Sequence, residues 1–268
     1  MSETTPTTPV RHLLGLSGGK DSSALAIYLR DRVPEMEYFF ADTGAELKET
    51  LEYLDLLQDY LGKPIVRLNS GRTFEQHLKL NGNFLPTTKT RWCTSELKIR
   101  PFEEYVGNDV AITYVGIRAD ESHRKGYLST KANISARYPF IEDGKTIEDI
   151  EEILTSSGVG KPKYYQWRSR SGCYFCFYQR KIEWVHLAEQ HPDLFRKAQE
   201  FEEHHRQEGR MQTWSQGEYL EDLVARAEQI KAEAEHQVEL ERKKPKKKLI
   251  DSLRSSTQHE DGCLICML

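Results

Sequence analysis

Residues 12–22, which read HLLGLSGGKDS, are the stretch that decides the fold. The apolar start predicts a buried strand, the glycine pair predicts a turn, and the residues from Asp21 onward predict a helix. Such a turn directs several main-chain N–H groups at one point, and the N-terminus of the helix adds partial positive charge there. Gly18 and Gly19 let a ligand approach the main chain closely, and Lys20 adds a cation. The stretch is therefore predicted to hold an anion, and a nucleotide phosphate chain fits it.

Hydroxyl groups on both sides of the glycine pair add donors for the same anion. The predicted ligands in this loop are Ser17, Gly18, Gly19, Lys20, Asp21, Ser22 and Ser23. The P-loop of kinases and GTPases needs the order G-x-x-x-x-G-K-[ST], but Asp21 follows Lys20 here, so that motif is absent. A Gly-Ser turn that merely precedes a helix is the alternative interpretation.

The first half of the chain alternates strand and helix patterns. This predicts an α/β fold with a mostly parallel sheet and helices on both faces, in three layers. The predicted strands are 12–16, 36–41, 64–68 and 110–115, and the predicted helices are 21–32, 46–61, 74–80 and 95–106, the last interrupted near Pro101. Residues 138–141 are predicted to be a short strand or an extended piece. Further helices are predicted at 146–154, with Thr146 as N-cap, and at 181–190, 192–207 and 219–242.

A second nucleotide signal follows the second predicted strand, where Asp42, Thr43 and Gly44 begin a polar loop. Ligands of open parallel sheets lie beyond the carboxyl ends of the strands, so this loop and the glycine loop are predicted to face one ligand. Asp42 is expected either to hydrogen-bond a ribose or to cap the next helix. Gly116 and Arg118 follow the fourth predicted strand, where a guanidinium group suits contact with phosphate or sulfate. A solvated surface run is the alternative for Arg118.

The glycine loop resembles the SGGxDS loop of the PP-loop ATP pyrophosphatases, which cleave ATP between the α and β phosphates. The resemblance implies that the loop binds ATP with Mg²⁺, and that Lys20, Asp21 and Arg118 are catalytic. Three further segments are similar to the phosphoadenylyl-sulfate (PAPS) reductase branch of that family. They are Asp42-Thr43-Gly44 with Glu49-Thr50, Trp92-Cys93-Thr94 with Lys98-Ile99-Arg100-Pro101, and Gly116 to Ser122 with Arg124. The resemblance spans about residues 12–200.

The five cysteines include two CxxC pairs, Cys173 with Cys176 and Cys263 with Cys266, which predict a metal centre. Adenylyl-sulfate reductases hold an iron–sulfur cluster with a cysteine pair and a CxxC pair. That resemblance implies a [4Fe–4S] cluster on Cys93, Cys173 and Cys176. Thr94 replaces the second cysteine of the family's pair, so the fourth ligand is Cys263 or Cys266, or one iron stays open. Zinc held by the two CxxC pairs is the alternative, and the tail pair could instead act as a redox thiol.

The chain has 268 residues, of which 38% are hydrophobic, and a net charge of −4, which predicts one large α/β domain or a domain with an appendage. The predicted divisions are a disordered leader at 1–10, a PP-loop nucleotide-binding domain at 11–145, a helical extension with the CxxC metal site at 146–242, and a basic linker with a cysteine-containing tail at 243–268. No apolar run approaches the length of a membrane span and no signal peptide pattern is present, so the protein is predicted to be cytoplasmic without a membrane partner.

Residues 161–170 mix cations with aromatic side chains, among them Tyr164, Tyr165 and Arg168. Such a loop suits phosphate contact and base stacking, and a solvated loop is an equally ordinary interpretation. Within the family the chain looks most like the ATP pyrophosphatase subunit of DNA phosphorothioation systems. That resemblance implies DNA or another nucleic acid as acceptor, and a cysteine desulfurase or other modification-complex proteins as partners.

Three functions are therefore predicted as alternatives. The first is an ATP pyrophosphatase that activates a substrate for sulfur incorporation. The second is a true PAPS or adenylyl-sulfate reductase, although the tail lacks the ECGLH sequence that is typical of those enzymes. The third is a non-catalytic subunit that senses ATP and carries a structural metal.

Overall fold

A computed structural model describes residues 9–121, 124, 129, 131–207, 209–215 and 217–243 of the chain. They form two compact units. The first contains residues 9–77 and Trp92–Gly172, and the second contains Leu78–Arg91 and the chain from Cys173 to 243, each with the gaps just named. None of the helices in this part of the chain has the length and apolar composition that crossing a bilayer requires.

The first unit is built on a five-stranded sheet. Its strands are β1 (Arg11–Gly15), β2 (Glu37–Ala41), β3 (Ile65–Leu68), β4 (Ala111–Tyr114) and β5 (Ile134–Arg137). They pair in the order β3-β2-β1-β4-β5, and all four pairings are parallel. The carboxyl ends of all five strands therefore lie at one edge of the sheet, with β1 in the centre.

Helices cover both faces of this sheet. The helical elements are α1 (Lys20–Leu29), α2 (Lys48–Leu61), α3 (Phe74–Leu80), α4 (Trp92–Thr94), α5 (Arg100–Val106), α6 (Pro139–Glu142) and α7 (Ile147–Ser156). Leu14 and Tyr38 lie in one apolar cluster with residues of α1, α2 and α7. Their strand neighbours Leu13 and Phe39 point the other way and pack with Phe102 of α5. The three-layer α/β/α prediction is confirmed.

Two local predictions in the first unit need correction. Residues 138–141 are not a strand: the fifth strand lies just before them, and α6 begins at Pro139. Proline suits the first position of a helix, because the N–H that it lacks has no partner there. The residues predicted as a helix at 95–106 are all helical, but Ser95–Ile99 forms a wider π-helical turn ahead of α5. Pro101 explains this, since proline in a helix clashes with the preceding turn.

Asp149 holds the start of α7. Its Oδ2 accepts a hydrogen bond from the main-chain N–H of Thr146 at 2.8 Å, and Thr146 Oγ1 lies 3.2 Å from the same oxygen. The predicted N-cap is therefore confirmed.

After Cys173, the described part of the second unit forms α8 (Lys181–Gln190), α9 (Pro192–Gln207), α10 (Leu220–Ala225) and α11 (Ala227–Lys243). The first two match their predicted bounds. The single helix predicted at 219–242 is wrong, because the chain leaves the helical path at Arg226. Arg226 donates a hydrogen bond to Glu218, which lies before α10, and this ion pair holds the bend. Charged residues all along this segment leave its sequence pattern without a signal for the break.

Candidate functional site

The glycine loop connects the carboxyl end of β1 to the start of α1, at the centre of the sheet edge. Gly18 has φ +68°, and a side chain there would place Cβ only 2.6 Å from Cγ2 of Thr50. A Cβ on Gly19 would lie 2.7 Å from Oγ of Ser171. Both glycines are therefore required, the first for its left-handed conformation and both for the close approach of neighbouring side chains.

Main-chain N–H groups of this loop are available for a ligand. Among the residues that the structure describes, none accepts a hydrogen bond from the N–H of Gly18 or Gly19. The N–H of Ser17 donates to Oγ of Ser22 at 3.2 Å, and the N–H of Lys20 donates to the hydroxyl of Tyr165 at 3.1 Å. Two neighbouring amides at the N-terminus of α1 therefore remain for an anion.

The loop serines hold the turn in shape. The hydroxyls of Ser22 and Ser23 donate to the carbonyl oxygen of Gly19, at 3.2 and 2.8 Å. Ser17 Oγ lies 3.2 Å from Ser22 Oγ and accepts a hydrogen bond from Ser171 Oγ at 3.1 Å. Ser22 and Ser23 are buried, whereas Ser17 is half-buried and reaches the adjoining cavity.

A small cavity opens beside the loop, at the ends of β1 and β2. It is lined by Ser17, Phe40, Ala41, Glu46, Thr50, Lys98, Ser171 and Gly172. Thr50 is only 2% exposed, and in the described part of the chain its Oγ1 finds no hydrogen-bond partner. A residue of the cavity wall therefore carries a buried hydroxyl that no described residue satisfies.

Glu46 brings a carboxylate to this cavity. Its Oε1 accepts a hydrogen bond from Oγ1 of Thr43 at 2.5 Å, and its Oε2 accepts one from the N–H of Ala45 at 3.0 Å. Burial raises the pKa of Glu46, while these hydrogen bonds and the charge of Lys98 act in the opposite direction. The cavity therefore pairs a carboxylate with an ammonium group.

The predicted ribose ligand Asp42 is engaged in its own turn. Asp42 Oδ1 accepts a hydrogen bond from the N–H of Gly44 at 3.0 Å, and Gly44 has φ +71°. Asp42 is half-buried, and the cavity is lined by Glu46 in its place. Asp42, Thr43 and Gly44 therefore shape the loop that carries Glu46.

Arg118 and Asp21 meet beside the start of α1. Arg118 is only 9% exposed, and its Nη1 lies 2.9 Å from Oδ1 of Asp21. The same guanidinium contacts carboxylate oxygens of Asp120 at 3.0 Å and Glu121 at 3.1 Å. Burial raises the pKa of Asp21, and Arg118 opposes that shift. The ion pair therefore ties the end of β4 to the glycine loop.

Gly116 lets the chain after β4 lie close to the start of α1. A Cβ at this position would lie 3.0 Å from the carbonyl oxygen of Asp21 and 3.4 Å from the main-chain nitrogen of Ser22. The chain after β4 therefore packs directly on the first turn of α1, which a larger residue would push away. Ser122 and Lys125 lie outside the described residues, and Arg124 pairs with Glu121 at 3.0 Å.

The predicted metal ligands lie in different parts of the chain. Cys93 belongs to α4 of the first unit, whereas Cys173 and Cys176 lie on one turn of the second unit, where the N–H of Cys176 donates to the carbonyl of Cys173 at 3.1 Å. All three are half-buried. Cys263 and Cys266 fall outside the described residues. Within the described ranges, no group of three or more His, Cys, Asp and Glu side chains is arranged as a metal site.

The aromatic and basic loop at 161–170 places two of its predicted contact residues, Tyr164 and Arg168, in the interior, whereas Lys161 and Lys163 are exposed. Tyr164 is 1% exposed and Arg168 is 3% exposed, so neither is accessible for base stacking or phosphate contact. Arg168 donates to the carbonyl of Gly172 at 2.9 Å, and Tyr164 donates to the carbonyl of Gly18 at 2.7 Å. Tyr164 therefore supports the glycine loop, and Arg168 holds the chain at Gly172, both within the first unit.

Part of the chain is similar to a known protein family. Residues 11–138 match the family model of the phosphoadenosine phosphosulfate reductase domain, and this range includes the glycine loop, Glu46 and Arg118. Just under half of the chain is therefore similar to that domain.

Two uncharacterised proteins of Methanocaldococcus jannaschii are similar to about two thirds of the chain. They are 28% and 26% identical over 191 and 198 residues, which are 68% and 69% of this chain. An uncharacterised 37.8 kDa protein of Escherichia phage 186 is 28% identical over 251 residues and 71% of this chain. The chain spans only 45% and 40% of the archaeal proteins and 74% of the phage protein.

A solved structure, the PAPS reductase of Candida auris in its phosphate complex, is also similar. The match has a TM-score of 0.48 and 13% sequence identity, and it covers 62% of this chain and 82% of that chain.

Several residues at this site were not predicted to belong to it. Glu46, Thr50 and Lys98 stand within or beside the motif segments, so the segments themselves carried a signal for them. Tyr165 and Ser171 carried none, because they lie 145 and 154 positions from their partners Lys20 and Ser17.

Proposed function

We propose that the PAPS reductase-like domain is an ATP pyrophosphatase that activates a substrate for sulfur incorporation. The observation that supports this most directly is that no described residue accepts the N–H of Gly18 or Gly19 at the N-terminus of α1, next to Lys20 and a cavity. Such an arrangement suits a polyphosphate, because the amides, the helix terminus and the ammonium group all favour negative charge.

In the proposed reaction an oxygen of the substrate attacks the α phosphorus of ATP. The new bond joins that oxygen to phosphorus, the bond to the α–β bridging oxygen breaks, and pyrophosphate leaves with the electron pair. Negative charge grows on the leaving pyrophosphate, where the amides of Gly18 and Gly19 and the ammonium of Lys20 would stabilise it. Mg²⁺, when bound with ATP, would neutralise part of the phosphate charge. A sulfur nucleophile then displaces AMP.

Arg118 has a supporting role in this scheme. Its guanidinium is paired with Asp21, Asp120 and Glu121, so it holds the start of α1 and balances their charges. Asp21 is thereby placed on the first turn of α1, beside the phosphate-binding amides.

The experiment that tests the function follows the products of two nucleotides. We expect purified protein, prepared without oxygen, to convert α-labelled ATP into AMP and pyrophosphate in the presence of Mg²⁺ and acceptor. Sulfite formation from PAPS would instead support the reductase, and binding of ATP that stays intact would support the non-catalytic subunit. Either of those two results contradicts the proposal.

DNA is the acceptor that we propose, by analogy with phosphorothioation systems. A surface of the second unit supports a nucleic-acid partner: Phe84 is 53% exposed, and the guanidinium of Arg210 lies 5.7 Å from its ring centroid. The surrounding segment Leu78–Arg91 carries Lys79, Lys89 and Arg91 and no acidic residue. An exposed ring with cations around it suits a single-stranded base and its phosphates. Adding DNA to the ATP assay should therefore raise the yield of AMP.

We also propose that Cys173 and Cys176 hold a metal centre, a [4Fe–4S] cluster or alternatively zinc. Their place on one turn supports this, because two thiolates three positions apart can bind a single metal. Phe175, between them, is buried and stacks on Trp214 at 5.2 Å, which keeps water from one side of the turn.

The expected result is that Cys173→Ser and Cys176→Ser each lose most of the bound metal, measured by iron and zinc analysis and by the visible absorption spectrum. Comparison of Cys93→Ser, Cys263→Ser and Cys266→Ser then identifies the other ligands. Unchanged metal content in both Cys173→Ser and Cys176→Ser would refute this site.

A further inference from the structure

Two adjacent tyrosines contact the glycine loop from a distant part of the sequence. Tyr164 and Tyr165 lie in the short 3₁₀ turn Lys163–Gln166, and their rings stack with centroids 4.9 Å apart. Tyr164 donates its hydroxyl hydrogen to the carbonyl of Gly18 at 2.7 Å. The hydroxyl of Tyr165 accepts the N–H of Lys20 at 3.1 Å. The pair therefore fixes the main chain on both sides of Gly19.

Tyr165 also contacts the charged end of the same lysine. The Nζ of Lys20 lies 5.8 Å from the centroid of the Tyr165 ring, within the range of a cation–π interaction. One side chain thus holds Lys20 at its main-chain N–H and at its ammonium group. Burial raises the pKa of Tyr165, so its hydroxyl stays neutral, and its oxygen accepts the N–H of Lys20.

We propose that Tyr165 is the positioning residue for Lys20, an inference that rests on the proposed function of the loop. Because Tyr165 accepts the N–H of Lys20, the amides of Gly18 and Gly19 are left to bind phosphate. Holding the ammonium over the ring removes rotamer freedom from a flexible side chain before the nucleotide arrives. Tyr165 therefore acts on the reaction through Lys20 and not through direct contact with the phosphate.

A double-mutant cycle tests this role. Tyr165→Phe removes the hydroxyl and keeps the ring, whereas Tyr165→Leu removes both. We expect kcat for pyrophosphate release to fall by about 5-fold in the first and about 30-fold in the second, in line with the loss of one hydrogen bond and one cation–π contact. In a Lys20→Ala background, Tyr165→Leu should change kcat by less than about 2-fold, because the residue through which it acts is gone.

Tyr164→Phe is the matched control. It removes a hydrogen bond to the same loop but makes no contact with Lys20, so it should lower kcat by the same factor in both backgrounds. A Tyr165→Leu effect that is equally large with and without Lys20 would show a merely structural role and overturn the proposal. Thermal unfolding of each variant identifies any that fail to fold, and Tyr165→Phe, which keeps the packing, then carries the test.

Calorimetric titration of the same variants with ATP separates this inference from the proposed function. If the wild type binds ATP but releases no pyrophosphate, the proposed function fails, and the cycle in Kd still decides the role of Tyr165. Coupling between positions 20 and 165 in Kd supports the inference, and additivity contradicts it. A wild type that binds no ATP overturns both.

Discussion

Replacing Lys20 by alanine should lower the rate of pyrophosphate release from ATP by about 100-fold, with a much smaller change in the affinity for ATP. The reason is that Lys20 is the cation closest in sequence to the free amides of Gly18 and Gly19, at the helix terminus where the triphosphate would lie. Charge on the leaving pyrophosphate grows as the α–β bond breaks, so a cation there lowers the barrier more than it strengthens ground-state binding. Measurement of kcat and KM with labelled ATP checks this.

Lys48→Ala is the control for that variant. Lys48 starts α2 in the same unit, its side chain is 83% exposed, and it pairs with Glu52 one turn along. Its replacement removes the same charge from the unit without touching the glycine loop, so turnover should stay within about 2-fold of the wild type, as for an ordinary surface change. Full turnover in Lys20→Ala would refute the catalytic role of Lys20.

The glycine loop was predictable because the residues that determine its shape are neighbours in the sequence. A short apolar strand, two glycines and a helix start follow one another directly, and each leaves its own pattern in the sequence. The sheet was predictable for the same reason, except at its edge. In β5 only Ile134 is fully buried, so its four residues lack an apolar pattern, while the apolar run at 138–141 belongs to α6.

The surroundings of the loop were not predictable, because they depend on contacts between distant positions. Tyr164, Tyr165 and Ser171 support the loop from more than 140 positions away, and their sequence context suggested a surface for nucleic acid. That Glu46 lines the cavity, and Asp42 does not, depends on the exact path of the turn. Asp42 accepts the N–H of Gly44, and this turn carries Glu46 to the cavity.

In the second unit, Glu202→Leu should lower the free energy of unfolding by about 2–6 kcal/mol, because it leaves two buried N–H groups without acceptors. Glu202 is 3% exposed, and its two carboxylate oxygens accept the N–H groups of Trp214 and Leu220, each at 2.8 Å. One carboxylate thereby ties α9 to the start of α10 and to the chain before it. Glu202→Gln keeps one acceptor and should fall between the wild type and Glu202→Leu. Glu203→Gln, at an exposed position of the same helix, should have little effect.

The same carboxylate gives this unit a pH dependence with a definite sign. Burial raises the pKa of Glu202 to about 7, although its two main-chain hydrogen bonds oppose the shift. Because the folded state binds the proton more tightly than the unfolded chain, the contribution of Glu202 to stability is fully present below pH of about 4.5 and is lost as the pH rises through about 7. Hydrogen exchange at the amides of Trp214 and Leu220 should therefore quicken across that window in the wild type and in Glu203→Gln. Glu202→Gln has no proton to lose at this position, so its exchange, corrected for the intrinsic rate, should stay level. If exchange in Glu202→Gln quickened with pH as steeply as in the wild type, the pH dependence would belong to another group.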